Sequence, residues 1–483
     1  MSATEATLTP AEEQIARRID FPTWLPAMLV KELRQGLRQR GFIAALVGFQ
    51  VLMTLFLIFA VAGGTGSASF DILQSAYWVM INVQLLIVTP LRAVTGLQAE
   101  LDSRWVDLMM LTRLTAWRIV LGKWFSLVVQ GGLLVVAMLP YGVARYFFGS
   151  VDLVSEARII AVIFAASAVV TAAALWSSVL PKLARVVLAI GVAFLWQFAP
   201  GSIATLFASR SRSGGPGLTF AVAGTGANWW LLVFDALLLL VVCLVGAVRK
   251  LSPRAESQTL LMRGLPLLGL LPLPLLSLRD MMPQAGLTAI FFIIVAALEL
   301  ARAEEPMECH WRAWTRFGRW GRVVGRLVQP GWASAIEWVM VAAAAAALGG
   351  YATVMPWKVA LAALLGAEAL IFPALLLTWM SSQFTQRTAG YALLLIGASV
   401  LAAISATAGV FGNLATAADR VMMLMPISSF WSVLQLSVPP PTPVLLGQIL
   451  LAGAVLGGAW LRASPYRRQR REFETAPTEE PQG

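Results

Sequence analysis

Apolar and polar positions in this chain come in long blocks rather than in alternation. Unbroken apolar runs of about twenty residues recur at 42–62, 72–91, 121–143, 159–180, 185–207, 229–248, 285–300, 333–354, 358–380, 389–411 and 443–461. A helix needs roughly that length to cross a hydrocarbon layer about 30 Å thick. A membrane β-barrel would show period-two alternation in segments of about ten residues, and these runs have none. One further apolar stretch, 264–278, is shorter and carries Pro266, Pro272 and Pro274. Proline disfavours a straight spanning helix. The stretch therefore reads as a re-entrant or broken helix that pairs with 285–300, with Arg279 and Asp280 at the turn. The pattern predicts an all-α polytopic membrane protein with about 10–12 transmembrane helices.

Two segments outside the spans are amphipathic. Residues 25–40 place Leu25, Leu29, Leu33 and Leu37 on one stripe, with Lys31, Arg34, Arg38 and Arg40 mainly away from it. Such a helix lies flat on the membrane before the first span, and Pro26 suits its first turn. At about 100° per residue, Arg312, Arg316, Arg319, Arg322 and Arg326 fall in one arc along 311–328. Trp314, Phe317, Trp320, Val324, Leu327 and Val328 fill another. Basic and aromatic faces of this kind meet lipid headgroups. Nucleic acid is not expected, because tryptophan beside arginine is commoner at a bilayer surface.

Composition sharpens the class. The 483 residues are 58% hydrophobic and 13% charged, with mean hydropathy +0.76, against about 25% charged in soluble domains. The net charge of +11 has its place in cytoplasmic loops. With the N-terminus in the cytoplasm and the sides alternating, 29 of the 36 Lys and Arg lie on the cytoplasmic side. That asymmetry predicts cytoplasmic termini. It also demands an even number of crossings between 263 and 302, as the 264–300 hairpin supplies. Two cysteines, Cys243 and Cys309, make no disulfide framework. The polar first 20 residues contain no signal-peptide core.

Catalytic chemistry is not written in the chain. The lone histidine, His310, follows Met307-Glu308-Cys309, and no second Cys/His cluster completes a metal site. Gly122-Lys123 lacks the earlier glycine and the following hydroxyl of a phosphate loop. Within the spans, Glu368 sits near the middle of 358–380 and Asp235 near the start of 229–248. An intramembrane carboxylate is costly, so each is a candidate for the substrate pathway, or else a protonated group bonded between helices. Asn82, Gln84, Gln130 and Gln197 are candidates for bonding between helices.

The segment after the second span mixes charge and apolar anchors. Between Arg92 and Arg118 lie Glu100, Asp102, Arg104, Asp107 and Arg113, with Leu108, Met109, Met110 and Leu111 among them. Docking onto a soluble partner uses both kinds of residue, charges for register and apolar groups to carry force. An amphipathic loop resting on the membrane would use them equally well.

At these residues the chain resembles the membrane subunits of exporter-type ABC transporters, the type-2 permeases. Leu29-Val-Lys-Glu-Leu-Arg-Gln-Gly-Leu-Arg-Gln-Arg40 is similar to the connecting helix that opens such permeases. Glu100, Asp102, Asp107, Leu108, Leu111, Thr112, Leu114, Gly122 and Lys123 match the pattern that follows the family's second span. Met425-Pro-Ile-Ser-Ser-Phe430 is similar to its outer re-entrant segment. Arg104 stands where a glycine is common, and Arg113 replaces a proline. The likeness covers 25–145, about a quarter of the chain. It implies a coupling segment at 92–118 in which Glu100, Asp102, Arg104, Asp107, Leu108, Leu111, Thr112 and Arg113 dock a partner.

The partner implied is a separate ABC ATP-binding subunit that carries ATP and Mg, with no cofactor in this chain. The permease would pair with itself or with a homologue in a bacterial cytoplasmic (inner) membrane. The expected organisation is a cytoplasmic N-terminus and connecting helix (1–41), a first half of six spans (42–250), and a second half (251–461). The second half holds the hairpin, the basic helix and four spans, and a disordered basic tail (462–483) closes the chain. A transporter driven by an ion gradient and, less favoured, a lipid-modifying membrane enzyme are the alternatives.

Overall fold

The computed structural model describes residues 27–62, 67–94, 115–148, 153–178, 229–252, 258–269, 271–272, 292–301, 314, 317–349, 356–379, 390–391, 393–394, 397 and 442–475. These are helical, without a strand among the described residues. Among the described residues, five helices are long and apolar enough to cross a membrane: Arg40–Ala62, Leu73–Val94, Ala116–Phe147, Glu156–Ser178 and Ala360–Thr378. The number rises to seven if each of two bent pairs is one span. The protein is an all-helical membrane protein. The predicted spans 185–207 and most of 389–411 lie outside the described residues, as do 302–313 and 273–291.

Residues group into two compact units, 1–179 with 239–251 and 180–238 with 252–483.

The first unit begins with helix α1 (Ala27–Arg38) and α2 (Arg40–Ala62). Helix α3 (Ser67–Asn82) continues through a π-helical turn at Val83–Val88. Pro90 stands two residues past that turn, after Thr89. It has no N–H to donate and its ring crowds the preceding turn, so the wider winding relieves it. Then come α4 (Ala116–Phe148), α5 (Leu153–Ser178) and α6 (Trp229–Leu251), whose residues 239–251 belong to this unit. Met53, Leu73, Tyr77, Ile81, Leu85, Met138 and Ile163 form one core between α2 and α5. A second core joins Val120, Leu127, Ala172 and Leu175 to Cys243, Leu244 and Val248 of α6. Gly246 lets α6 lie against Trp176, where a Cβ would come within 2.9 Å of Cδ2.

Only 11% of the most apolar stretch of α2 is buried, and Phe59 is 70% exposed. Water would not tolerate such an apolar face, so its solvent is lipid. Hydrophobicity gives helices in lipid little reason to associate, so polar contacts hold them. Gln50 donates to the Ala137 carbonyl at 2.6 Å, and the Tyr141 hydroxyl to the Gln50 carbonyl at 3.0 Å. Trp124 Nε1 reaches the Ala168 carbonyl at 2.9 Å, and Ser167 Oγ the Leu85 carbonyl at 2.8 Å. Asn82, expected to bond between helices, instead donates to Trp78 of its own helix.

The α4–α5 hairpin closes on a buried ion pair. Arg145 donates from Nη2 to Glu156 Oε1 at 2.6 Å and from Nη1 to Oε2 at 3.3 Å. Its guanidinium carbon lies 4.3 Å from the Tyr77 ring centroid and 5.7 Å from that of Trp78.

In the second unit, α7 (Thr259–Leu268) and α8 (292–300) precede α9 (Gly318–Val328), α10 (Trp332–Gly349) and α11 (Pro356–Trp379). Helix α7 starts before the predicted 264–278 stretch and takes Pro266 into its last turn. Helix α12 (Thr442–Arg462) packs on α11, and α13 (Ser464–Thr475) follows. A disordered tail is predicted from 462, yet α13 is helical. Arg470 Nη1 binds both Glu337 carboxylate oxygens, at 3.1 and 3.0 Å, and Tyr466 meets the Trp332 ring edge-on.

Arg145→Gln leaves Glu156 buried without its cation and costs about 3–5 kcal/mol. Thermal unfolding of the purified protein in detergent should show the loss. Replacing both partners by leucine should restore most of it.

Candidate functional site

The predicted docking segment arises between Val94 and Thr115, and described residues on either side of it, Arg92 and Lys123, meet residues between 32 and 42. On the near side, Arg92 Nη2 donates to Gln39 Oε1 at 3.3 Å, and its guanidinium lies 5.1 Å from the Phe42 ring. On the far side, Lys123 Nζ lies 3.9 Å from Glu32 Oε2, with both side chains over nine-tenths buried. Arg92 thus meets Gln39 and Phe42 of α2, while Lys123 of α4 meets Glu32 of α1.

Helix α1 holds this place by its apolar stripe. Leu29 and Leu33 are buried, Leu37 half-buried, and α1 packs along α4. The sequence assigns that stripe to lipid, whereas here it meets protein. Gly36 makes the approach possible, since a Cβ there would stand 2.8 Å from Gln130 Cδ. Gln130, expected to bridge helices, lies at this α1–α4 contact. The opposite side of α1 lines an open hollow of about 610 Å³ with Lys31, Arg34, Gln35 and Arg38. Helix α1 is therefore two-sided, apolar toward α4 and basic away from it.

A second polar centre occupies the other unit. Arg263 of α7 is 2% exposed, and its Nε donates to Glu299 Oε2 of α8 at 3.0 Å. Nη1 reaches the Leu327 carbonyl and Ser334 Oγ, and Nη2 reaches the Gly331 carbonyl at 3.3 Å. Trp338 lies 5.9 Å from the guanidinium and stacks on Phe292 at 4.5 Å. A single arginine thereby ties α7, α8 and the α9–α10 corner. The sequence places Arg263 in a loop and gives neither it nor Glu299 a role. The signal available was an arginine inside the apolar run Leu-Leu-Met-Arg-Gly-Leu.

The candidate pathway carboxylates are both buried. Glu368, 1% exposed in α11, has an Oε1 without a hydrogen-bond partner. Asp235, in α6, is 8% exposed. Glu100, Asp102, Arg104, Asp107, Leu108, Leu111, Thr112, Arg113, Arg312 and Arg316 lie outside the described residues. Of the predicted lipid-facing residues, Arg319, Arg322 and Trp320 are exposed, and Arg326 and Trp314 half-buried.

No family model, curated protein or solved structure matches this chain.

Gly36→Val should force α1 away from α4 and destabilise the protein by about 1–3 kcal/mol, as overpacking does. Adding Gln130→Ala opens the space and should recover stability in the same thermal melt.

Proposed function

We propose that this chain is the membrane-spanning subunit of an ATP-driven ABC exporter, with its termini in the cytoplasm of a bacterial cell. It forms the translocation pathway and pairs with itself or a homologue. A separate ATP-binding subunit, holding ATP and Mg, docks on the 92–118 segment. The observation that supports this reading is made on the helices either side of that segment: Arg92 before it and Lys123 of α4 after it both engage residues 32–42. A push on the segment is then delivered to α1, α3 and α4 together.

The chemistry of the step follows. ATP closes the motor dimer, the segment moves with it, and the helices shift between inward- and outward-open states. Glu100, Asp102, Arg104, Asp107 and Arg113 set the register of docking, and Leu108 and Leu111 bear the load. Thr112 completes the segment. The basic side of α1, with Lys31, Arg34 and Arg38, adds electropositive surface near the same place.

A second reading, transport driven by an ion gradient, is favoured by one observation. Glu368 buries a carboxyl oxygen with no hydrogen-bond partner, and such groups serve as proton or cation sites in transporters. Asp235 is the lesser candidate.

The full chain purified from its own membranes should bring down a nucleotide-hydrolysing subunit. In the reconstituted complex, Asp107→Arg should leave insertion intact while uncoupling ATP hydrolysis from transport. Transport that runs on a proton or sodium gradient with no ATPase bound overturns the proposal. Glu368→Gln should lower transport at unchanged expression. Equal loss of both would make Glu368 a folding residue.

A further inference from the structure

Helix α9 has three sides, and they differ in chemistry. On a projection of about 100° per residue, Gly321 and Gly325 share one side and Arg319, Arg322 and Arg326 a second. Phe317, Trp320, Val323, Val324 and Leu327 occupy the third. The glycine side is buried against Trp314, whose Cβ would stand 2.9 Å from a Cβ at position 325. The third side is open: Trp320 is 81% exposed, Phe317 71% and Val323 49%. Arg319 and Arg322 are exposed as well.

The setting of the helix adds to this. It turns by 105° into α10, so it runs nearly across the axis of that apolar helix. Gly318 and Gly331, at φ 64° and 118°, make the turns at its two ends in a region that side-chain-bearing residues avoid. Arg263 fixes the second turn through the Leu327 and Gly331 carbonyls. An α10 placed along a bilayer normal would leave α9 close to the membrane plane.

We propose that α9 is a docking surface for anionic phospholipid headgroups. The side with Phe317, Trp320, Val323 and Val324 enters the boundary between headgroups and acyl chains. Arg319 and Arg322, on a different side, take the phosphates. Charge complementarity selects anionic over zwitterionic lipid, and indole and phenyl rings favour the interfacial layer. An acidic protein or a nucleic acid could use the same arginines but would leave the aromatic side uncovered.

Hydrogen exchange on the full chain in nanodiscs tests it. Peptides over 317–328 should exchange at least about tenfold more slowly in discs rich in phosphatidylglycerol than in phosphatidylcholine discs. Raising salt should shrink the difference, since screening weakens surface electrostatics. R319Q/R322Q should abolish it, while R319K/R322K keeps it and shows that the helix still folds. W320A should speed exchange in the anionic discs. Equal exchange in both disc types overturns the proposal. So does protection that persists in R319Q/R322Q, or protection that appears only when a soluble protein or nucleic acid is added.

Discussion

An arginine withdrawn from water must have its charge met by protein, and each unit of this chain has helices arranged around one whose charge is met. In the first unit Arg145 is met by Glu156 and by the faces of Tyr77 and Trp78. That set pins α3, α4 and α5 at the closed end of a hairpin. In the second unit Arg263 is met by Glu299, two backbone carbonyls and Ser334. Lipid gives apolar helices little reason to prefer one neighbour over another. A buried guanidinium does, because a misplaced partner strands a charge at a cost of about several kcal/mol. The apolar cores then fill in around geometry that the arginines have already selected.

The same logic explains the base of the loop between α3 and α4. Glu32 and Lys123 are tolerable in a buried contact because they face each other, and Gly36 brings the helices close enough to hide them. Helix α1 consequently does more than mark the entry to the first span. Its Glu32 meets Lys123 of α4, and Gln39, just past its end, meets Arg92.

Much of the architecture was legible in the sequence. The runs 42–62, 72–91, 121–143 and 159–180 correspond to α2–α5 within a few residues, because a bilayer imposes one length and one polarity on whatever crosses it. The basic helix near 320 was equally legible, since its arginines and aromatics separate at helical period. The misreadings share a cause. The Leu29–Leu33 stripe was assigned to lipid and packs on α4, and the tail at 464–475 was read as disordered and is a helix held by Glu337. Asn82 was expected to reach a neighbour and bonds its own helix.

Local composition therefore determined that the described residues are helical, that the helices live in lipid, and within a few residues where α2–α5 lie. These are one-dimensional properties, fixed by hydropathy and period. Tertiary structure alone decided which apolar stripes meet lipid and which meet protein, because the two surroundings are equally apolar and leave the same mark on a sequence. It alone also decided the partners of Arg145, Arg263, Glu32 and Glu337. Three of those four contacts join residues at least 36 positions apart. No periodicity spans such a distance, and only the folded bundle brings each charge to its complement.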